Sequence, residues 1–153
     1  MSIETVKSYL KQHGFEKNIL EFSESSATVE LAAQAVGCEP ARIAKTLSFL
    51  ADNRVILIAA AGDTKIDNAK YKAQFHTKAK MIPFSQVEEL TGHAPGGVCP
   101  FAVREGTEVY LDVSLKRFDT VFPACGSSNS AVEMTIEELE KYSCCIGWVD
   151  VCK

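Results

Sequence analysis

The run TLSFLADNRVILIAAAG, residues 46–62, constrains the fold more than any other stretch of this chain. Two β-rich segments flank Asp52-Asn53, a dipeptide suited to a tight turn, so the stretch predicts a β-hairpin. The neighbouring sequence supplies helices. Ile3, Val6, Tyr9 and Leu10 share one helical face that ends at Gly14, and ILEF (19–22) reads as a short strand. TVELAAQAVG (28–37) is an alanine-rich helix with Ser26 or Thr28 as its cap and Gly37 at its end. Pro40 suits the first turn of a further short helix running to about Ala44, which leaves Lys45 at its exit.

Beyond the hairpin a helix is expected over 67–75. SQVEELTG carries the capping-box spacing Ser85-x-x-Glu88 and closes on Gly92. TEVYLDVSL (107–115), FDTVF (118–122) and AVEM (131–134) read as strands, and PACGSSNS (123–130) reads as a loop. Thr135-x-x-Glu138 is a second capping box opening a last helix, and CIGWVDV supplies a final strand. Helices and strands alternate without strict βαβ regularity, and no repeat or linker interrupts them. At 153 residues the chain is expected to form one domain, 1–153.

Composition narrows the function classes. No apolar run reaches the length of a membrane span, and the opening MSIETVKSYLKQHGF alternates charged with apolar residues, so a cytoplasmic protein without membrane contact is expected. The six cysteines contain no C-x-x-C pair and the three histidines show no ligand spacing with them, so reduced, mostly buried thiols are expected, with no metal and no cofactor. A net charge of −4 argues against indiscriminate nucleic-acid binding. Yet residues 64–82 carry Lys65, Lys70, Lys72, Lys78 and Lys80 against Asp67 alone. That run is either a solvated helix face or a local basic face for a phosphate backbone.

Three stretches are candidates for chemistry. In TGHAPGGVCPF (91–101) paired glycines permit close approach to main-chain N–H groups that could hold a carbonyl oxygen or an oxyanion, with Pro95 and Pro100 stiffening the loop. The same residues also suit a plain turn between elements. Lys45 stands in the otherwise apolar IAKTLSFL, where it either snorkels to solvent or serves the site. PACGSSNSAVEM places Ser127, Ser128, Asn129 and Ser130 just before a strand. Cys99 and Cys125 lie in two of these loops with only His93 near in sequence as a base, which leaves a thiol enzyme as a rival reading. No phosphate-cradling GxxxxGK is present, and spacing supports no Ser-His-Asp order.

Taken in order, TVELAAQAVGCEPARIAKTLSFL, AAAGDTKID, TGHAPGGVCPF, LDVSL and FPACGSSNSAVEMT resemble the YbaK/ProX family of aminoacyl-tRNA deacylases, homologues of the prolyl-tRNA synthetase editing domain, over roughly residues 15–141. The resemblance implies an α/β fold of mixed α+β type: one domain with a curved, mixed, mainly antiparallel sheet packed by helices. It implies hydrolysis of the ester joining a wrong amino acid to tRNA, acting in trans because no synthetase catalytic domain accompanies it. Lys45 corresponds to the family lysine and Gly96-Gly97-Val98 to its glycine loop. Phe22, Thr46, Pro95 and Cys99 fall around the substrate in this likeness, as do Gly126, Ser127, Asn129 and Ser130. Lys65, Lys70 and Lys72 are the expected nucleic-acid contacts. The implied partners are aminoacyl-tRNA and an aminoacyl-tRNA synthetase, with the protein a monomer or homodimer.

One departure bears on the substrate. Members that clear cysteinyl-tRNA carry a serine and an aspartate where this chain has Ala124 and Ala131, so alanine or another small residue is the expected amino acid, on a tRNA such as tRNA-Pro. A non-catalytic module that holds a tRNA end or a nucleotide is the alternative.

Overall fold

The computed structural model describes residues 2–153. The hairpin forms as its sequence predicts: β2 (Ile43–Ala51) and β3 (Arg54–Ala61) pair antiparallel from Ala44↔Ala61 to Ala51↔Arg54. Asp52 takes the left-handed conformation at the turn, φ 56°, which aspartate tolerates better than most residues.

Around this pair a six-stranded sheet assembles in the order β7-β5-β2-β3-β4-β8. On one side β5 (Thr120–Pro123) runs parallel to β2, and β7 (Met134–Thr135) closes that edge antiparallel to β5. On the other, β4 (Glu108–Asp112) and β8 (Gly147–Val149) add parallel to β3 and to each other. The hairpin thus carries the longest antiparallel ladder, and the flanking crossovers make the sheet mixed. A separate two-stranded ribbon pairs β1 (Ile19–Glu21) with β6 (Ser130–Val132).

Helices cover both faces of the central strands. α1 (Ser2–Gln12) and α5 (Ile136–Tyr142) bring Val6, Leu10 and Leu139 onto Ala59, Ala61 and Leu111. α3 (Asn68–Phe75) lays Tyr71 and Phe75 on Phe49, Ile56 and Ile58. α2 (Val29–Val36) packs Ala32 and Ala33 against Ile43, Phe122 and Ala131. β3 is consequently buried on both faces from Ile56 to Ala61, as its unbroken apolar run allows.

Local signals set several boundaries. Thr28 caps α2 by accepting from Leu31 N, and Gly37 ends it at φ 83°. Asp67 caps α3, and the Thr135–Glu138 capping box opens α5. Other expectations require correction. The helix after Pro40 is only a 3₁₀ turn, Pro40–Arg42, because pairing with Phe122 draws Ile43 into β2. Lys45 therefore lies inside a strand, opposite Ala60. Ser85 forms no cap, since a second 3₁₀ turn, Phe84–Gln86, precedes α4 (Val87–Thr91). The strand expected over 107–115 stops at Asp112, whose carboxylate accepts from Ser114 N and from Val151 N, both at 2.9 Å, and so turns the chain into a 3₁₀ segment. The strand expected over 131–134 is split at Glu133, where the chain passes from the ribbon to the main sheet.

Candidate functional site

The site begins with an interruption in the sheet. β5 pairs with β2 only at Ile43 and Ala44. Farther along the same edge the segment 80–82 takes over, with Leu50 N donating to Lys80 O at 2.9 Å and Ile82 N donating to Ser48 O at 3.1 Å. Between these two covers residues 45–47 border a cavity of about 280 Å³. Its far walls are the start of α2, the Gly96–Val98 loop, Phe122 with Ala124, and Ser130 with Ala131.

Lys45 is the one charged residue among the described residues that line this cavity. Its Nζ donates to the Thr64 carbonyl. Burial holds its pKa below the ordinary lysine range, partly offset by Cys152 and Asp63 nearby. A half-desolvated ammonium has a strong demand for an acceptor, so a carbonyl or phosphate oxygen entering the cavity would compete with Thr64. Thr46, the next residue, has its Oγ1 buried and without a hydrogen-bond partner.

The glycine loop divides its tasks. Gly96 sits at φ 87° and lines the cavity with Val98. Gly97 does not line it: its amide donates to Ala94 O at 3.0 Å, and a Cβ built on it would stand 2.6 Å from Ser127 N and 2.7 Å from Gly126 C. Gly97 is therefore where two loops touch backbone to backbone, and its amide is not free to meet a substrate carbonyl. Gly96 and Val98 are the residues of this loop that border the cavity.

The second loop is fastened from behind. Phe22 N donates to Asn129 O at 2.8 Å, Asn129 Nδ2 donates to Phe22 O at 3.0 Å, and Ser26 N donates to Ser128 O. With Nδ2 so engaged, Asn129 Oδ1 faces Ser127 Oγ at 2.9 Å and can only accept, which takes the Ser127 proton. Ser127 Oγ and Ser130 Oγ are 2.7 Å apart.

Of the residues expected at the site, Lys45, Thr46, Gly96, Val98 and Ser130 come together around the cavity. Phe22, Gly97, Gly126, Ser127 and Asn129 support the walls, while Pro95 is half-buried in the loop and does not line the cavity. Cys99 is fully buried, its thiol is pushed up to about 12 by desolvation, and its neighbour His93 donates from Nε2 to the Phe101 carbonyl, 2.8 Å away. A buried thiol that stays protonated at neutral pH is no nucleophile. Cys125 is shifted in the same direction by burial and by Cys99. All six cysteines are free.

Sequence pattern does not point to the wall made by Ala27, Thr28, Val29 and Ala32. Its only signal was the Thr28 cap, which fixes where α2 starts. In the basic segment, Lys70 is already held by Asp150 Oδ1 and the Cys152 carbonyl, each at 3.0 Å, whereas Lys65 and Lys72 are exposed. Among the described residues no cluster of His, Cys, Asp or Glu could hold a metal, and no helix is long and apolar enough to cross a membrane.

Residues 23–142 match the aminoacyl-tRNA editing domain. The chain belongs to that family. An uncharacterized protein of Bacillus subtilis (strain 168), YwhH, is 54% identical over 154 residues, spanning 100% of this chain and 98% of its own. EbsC of Enterococcus faecalis (strain ATCC 700802 / V583), provisionally named a Cys-tRNA(Pro)/Cys-tRNA(Cys) deacylase, is 25% identical over 85% of this chain and 82% of its own. A crystal structure provisionally described as a trans-editing enzyme for prolyl tRNA synthetase superposes with a TM-score of 0.88 at 29% identity, covering 99% of this chain and 97% of the other. The mixed α/β architecture of this editing domain is thus that of the family.

Proposed function

We propose that this editing-family protein is a trans-acting deacylase of the cytoplasm that hydrolyses the ester of a mischarged tRNA carrying a small amino acid, with alanine on tRNA-Pro as the leading case. The observation that carries this reading is the cavity itself: about 280 Å³, with Lys45 as its single charged lining residue and Ala124 and Ala131 in its wall. A side chain seated there meets methyl groups and no carboxylate. Selectivity by size is what an editing site needs, because a synthetase pocket rejects a residue one methylene smaller by only about 1–3 kcal/mol.

An aminoacyl ester needs little activation. Water adds to the carbonyl carbon, the oxyanion collapses, and the bond to the terminal ribose oxygen breaks. That oxygen takes a proton to leave free tRNA and the amino acid. The Gly96 and Val98 amides suit the oxyanion, where one well-aimed donor is worth roughly 10²–10³ in rate. Lys45 serves as the cationic anchor for a carbonyl or phosphate oxygen. Lys65 and Lys72, on the exposed surface beyond Thr64, suit the phosphate backbone. The test is a panel of charged tRNAs incubated with the protein and with Lys45→Ala. Release of alanine from alanyl-tRNA-Pro by the wild-type protein alone is expected. Binding of charged tRNA without release of any amino acid would replace the deacylase with a holding module.

A further inference from the structure

Because Leu50 N and Ser48 O both bond to the segment 80–82, the even-numbered residues of β2 turn their main-chain groups to this edge. The odd-numbered ones turn theirs toward β3, since main-chain groups alternate sides along a strand. β5 covers the edge through Ala44, and the segment 80–82 covers it from Ser48. Thr46 is the even residue between them. Its amide and carbonyl therefore face the cavity with no strand opposite, next to its own unpartnered Oγ1. Main-chain groups away from bulk water are almost always paired, and a sheet edge interrupted for one residue presents a donor and an acceptor at strand spacing.

We infer that Thr46 is the anchor of the substrate's aminoacyl group, which docks opposite it as a one-residue antiparallel strand. This inference rests on the deacylase reading above. An aminoacyl ester bears an ammonium donor and a carbonyl acceptor on either side of its α-carbon, the pattern of a residue in a sheet. Its ammonium donates to the Thr46 carbonyl, and the Thr46 amide donates to the ester carbonyl oxygen. These are the two exchanged bonds of a hydrogen-bonded antiparallel pair, a minimal case of adding a strand to a sheet edge. The arrangement fixes the ester carbonyl within the cavity and demands a free α-amino group. The side chain of the amino acid then leaves the plane of the sheet, where size and not main-chain chemistry is read.

Two measurements test the anchor. The first follows hydrogen exchange of the Thr46 amide by NMR, in the free protein and with 3′-alanylamido-3′-deoxyadenosine, which cannot be hydrolysed as an ester. Rapid exchange in the free protein and slowing of about tenfold or more with the analogue are expected, because a charge-assisted pair holds the amide closed. The propanoylamido analogue, which lacks only the ammonium, is expected to bind about tenfold or more weakly. The second is Thr46→Pro, tolerated by the fold because the lost N–H faces no strand, and expected to lower kcat on alanyl-tRNA by roughly 10²-fold. A protected Thr46 amide in the free protein, equal binding of the two analogues, or a folded Thr46→Pro variant with full turnover overturns the anchor. If Thr46→Pro fails to fold, the exchange and analogue results decide. A protein that slows Thr46 exchange with the analogue but releases no amino acid from any charged tRNA keeps the anchor and loses the deacylase.

Discussion

Replacing Gly97 by alanine tests whether the two site loops are held together by direct backbone contact. The added Cβ would lie 2.6 Å from Ser127 N and 2.7 Å from both Gly126 C and Ser127 Cα. Favourable carbon contacts lie at about 3.5–4.0 Å, so the loops must part by roughly 1 Å, and none of the three opposing atoms belongs to a side chain that could swing aside. Overpacking of this kind costs about 1–3 kcal/mol, which in a domain of this size lowers Tm by about 2–12 °C. Parting the loops also strains the links from Ser127 and Asn129 to Phe22 that position Ser130. Loss of stability and of hydrolysis should therefore appear together. Differential scanning calorimetry and single-turnover deacylation on one preparation would measure both. Gly147→Ala is the control: its Cβ meets nothing within 4 Å, and the change should stay within about 0.5 kcal/mol. If Gly97→Ala melts with the wild-type protein, the loops do not touch as described and the reasoning fails.

Lys45→Ala is expected to melt within a few degrees of wild type, since its Nζ meets only the Thr64 carbonyl, and to lose most hydrolysis of alanyl-tRNA; undiminished turnover on a folded variant would remove Lys45 from the site. Lys65→Glu with Lys72→Glu should flatten the salt dependence of tRNA binding, read as the slope of log K against log salt, whereas an unchanged slope would make these lysines a solvated face. Stability should decline in alkali because burial pushes Cys99 up to about 12 and Cys152 up to about 11. Their contribution is complete below the unfolded thiol value of about 8.5 and is lost as pH rises toward those folded values, so urea titrations from pH 8 to 10 should show a falling midpoint that Cys99→Ala makes shallower. Thr135→Ala removes the capping-box acceptor for Glu138 N and should cost about 1 kcal/mol, seen as a Tm lower by about 2–4 °C.

Elements whose cause lies within a few residues were legible in the chain. The turn at Asp52-Asn53, the Thr28 and Gly37 ends of α2, and the Thr135–Glu138 box each depend on one side chain or one backbone conformation acting on its immediate neighbours. The family motifs likewise mark Lys45 and the Gly96–Val98 loop in the sequence itself. What tertiary structure alone decided depends on groups far apart in sequence. Lys45 belongs to a strand because Phe122 and Ala60 pair beside it, and β4 ends where Asp112 reaches Val151. Gly97 is a contact between loops because Gly126 and Ser127 arrive opposite it, and Thr46, paired with Ala59 on one side, lacks a strand partner on the other because β5 and the segment 80–82 each stop short of it. Short-range preferences are written at the positions that feel them. A gap in a sheet edge is a property of three segments at once, so no single one of them carries its signal.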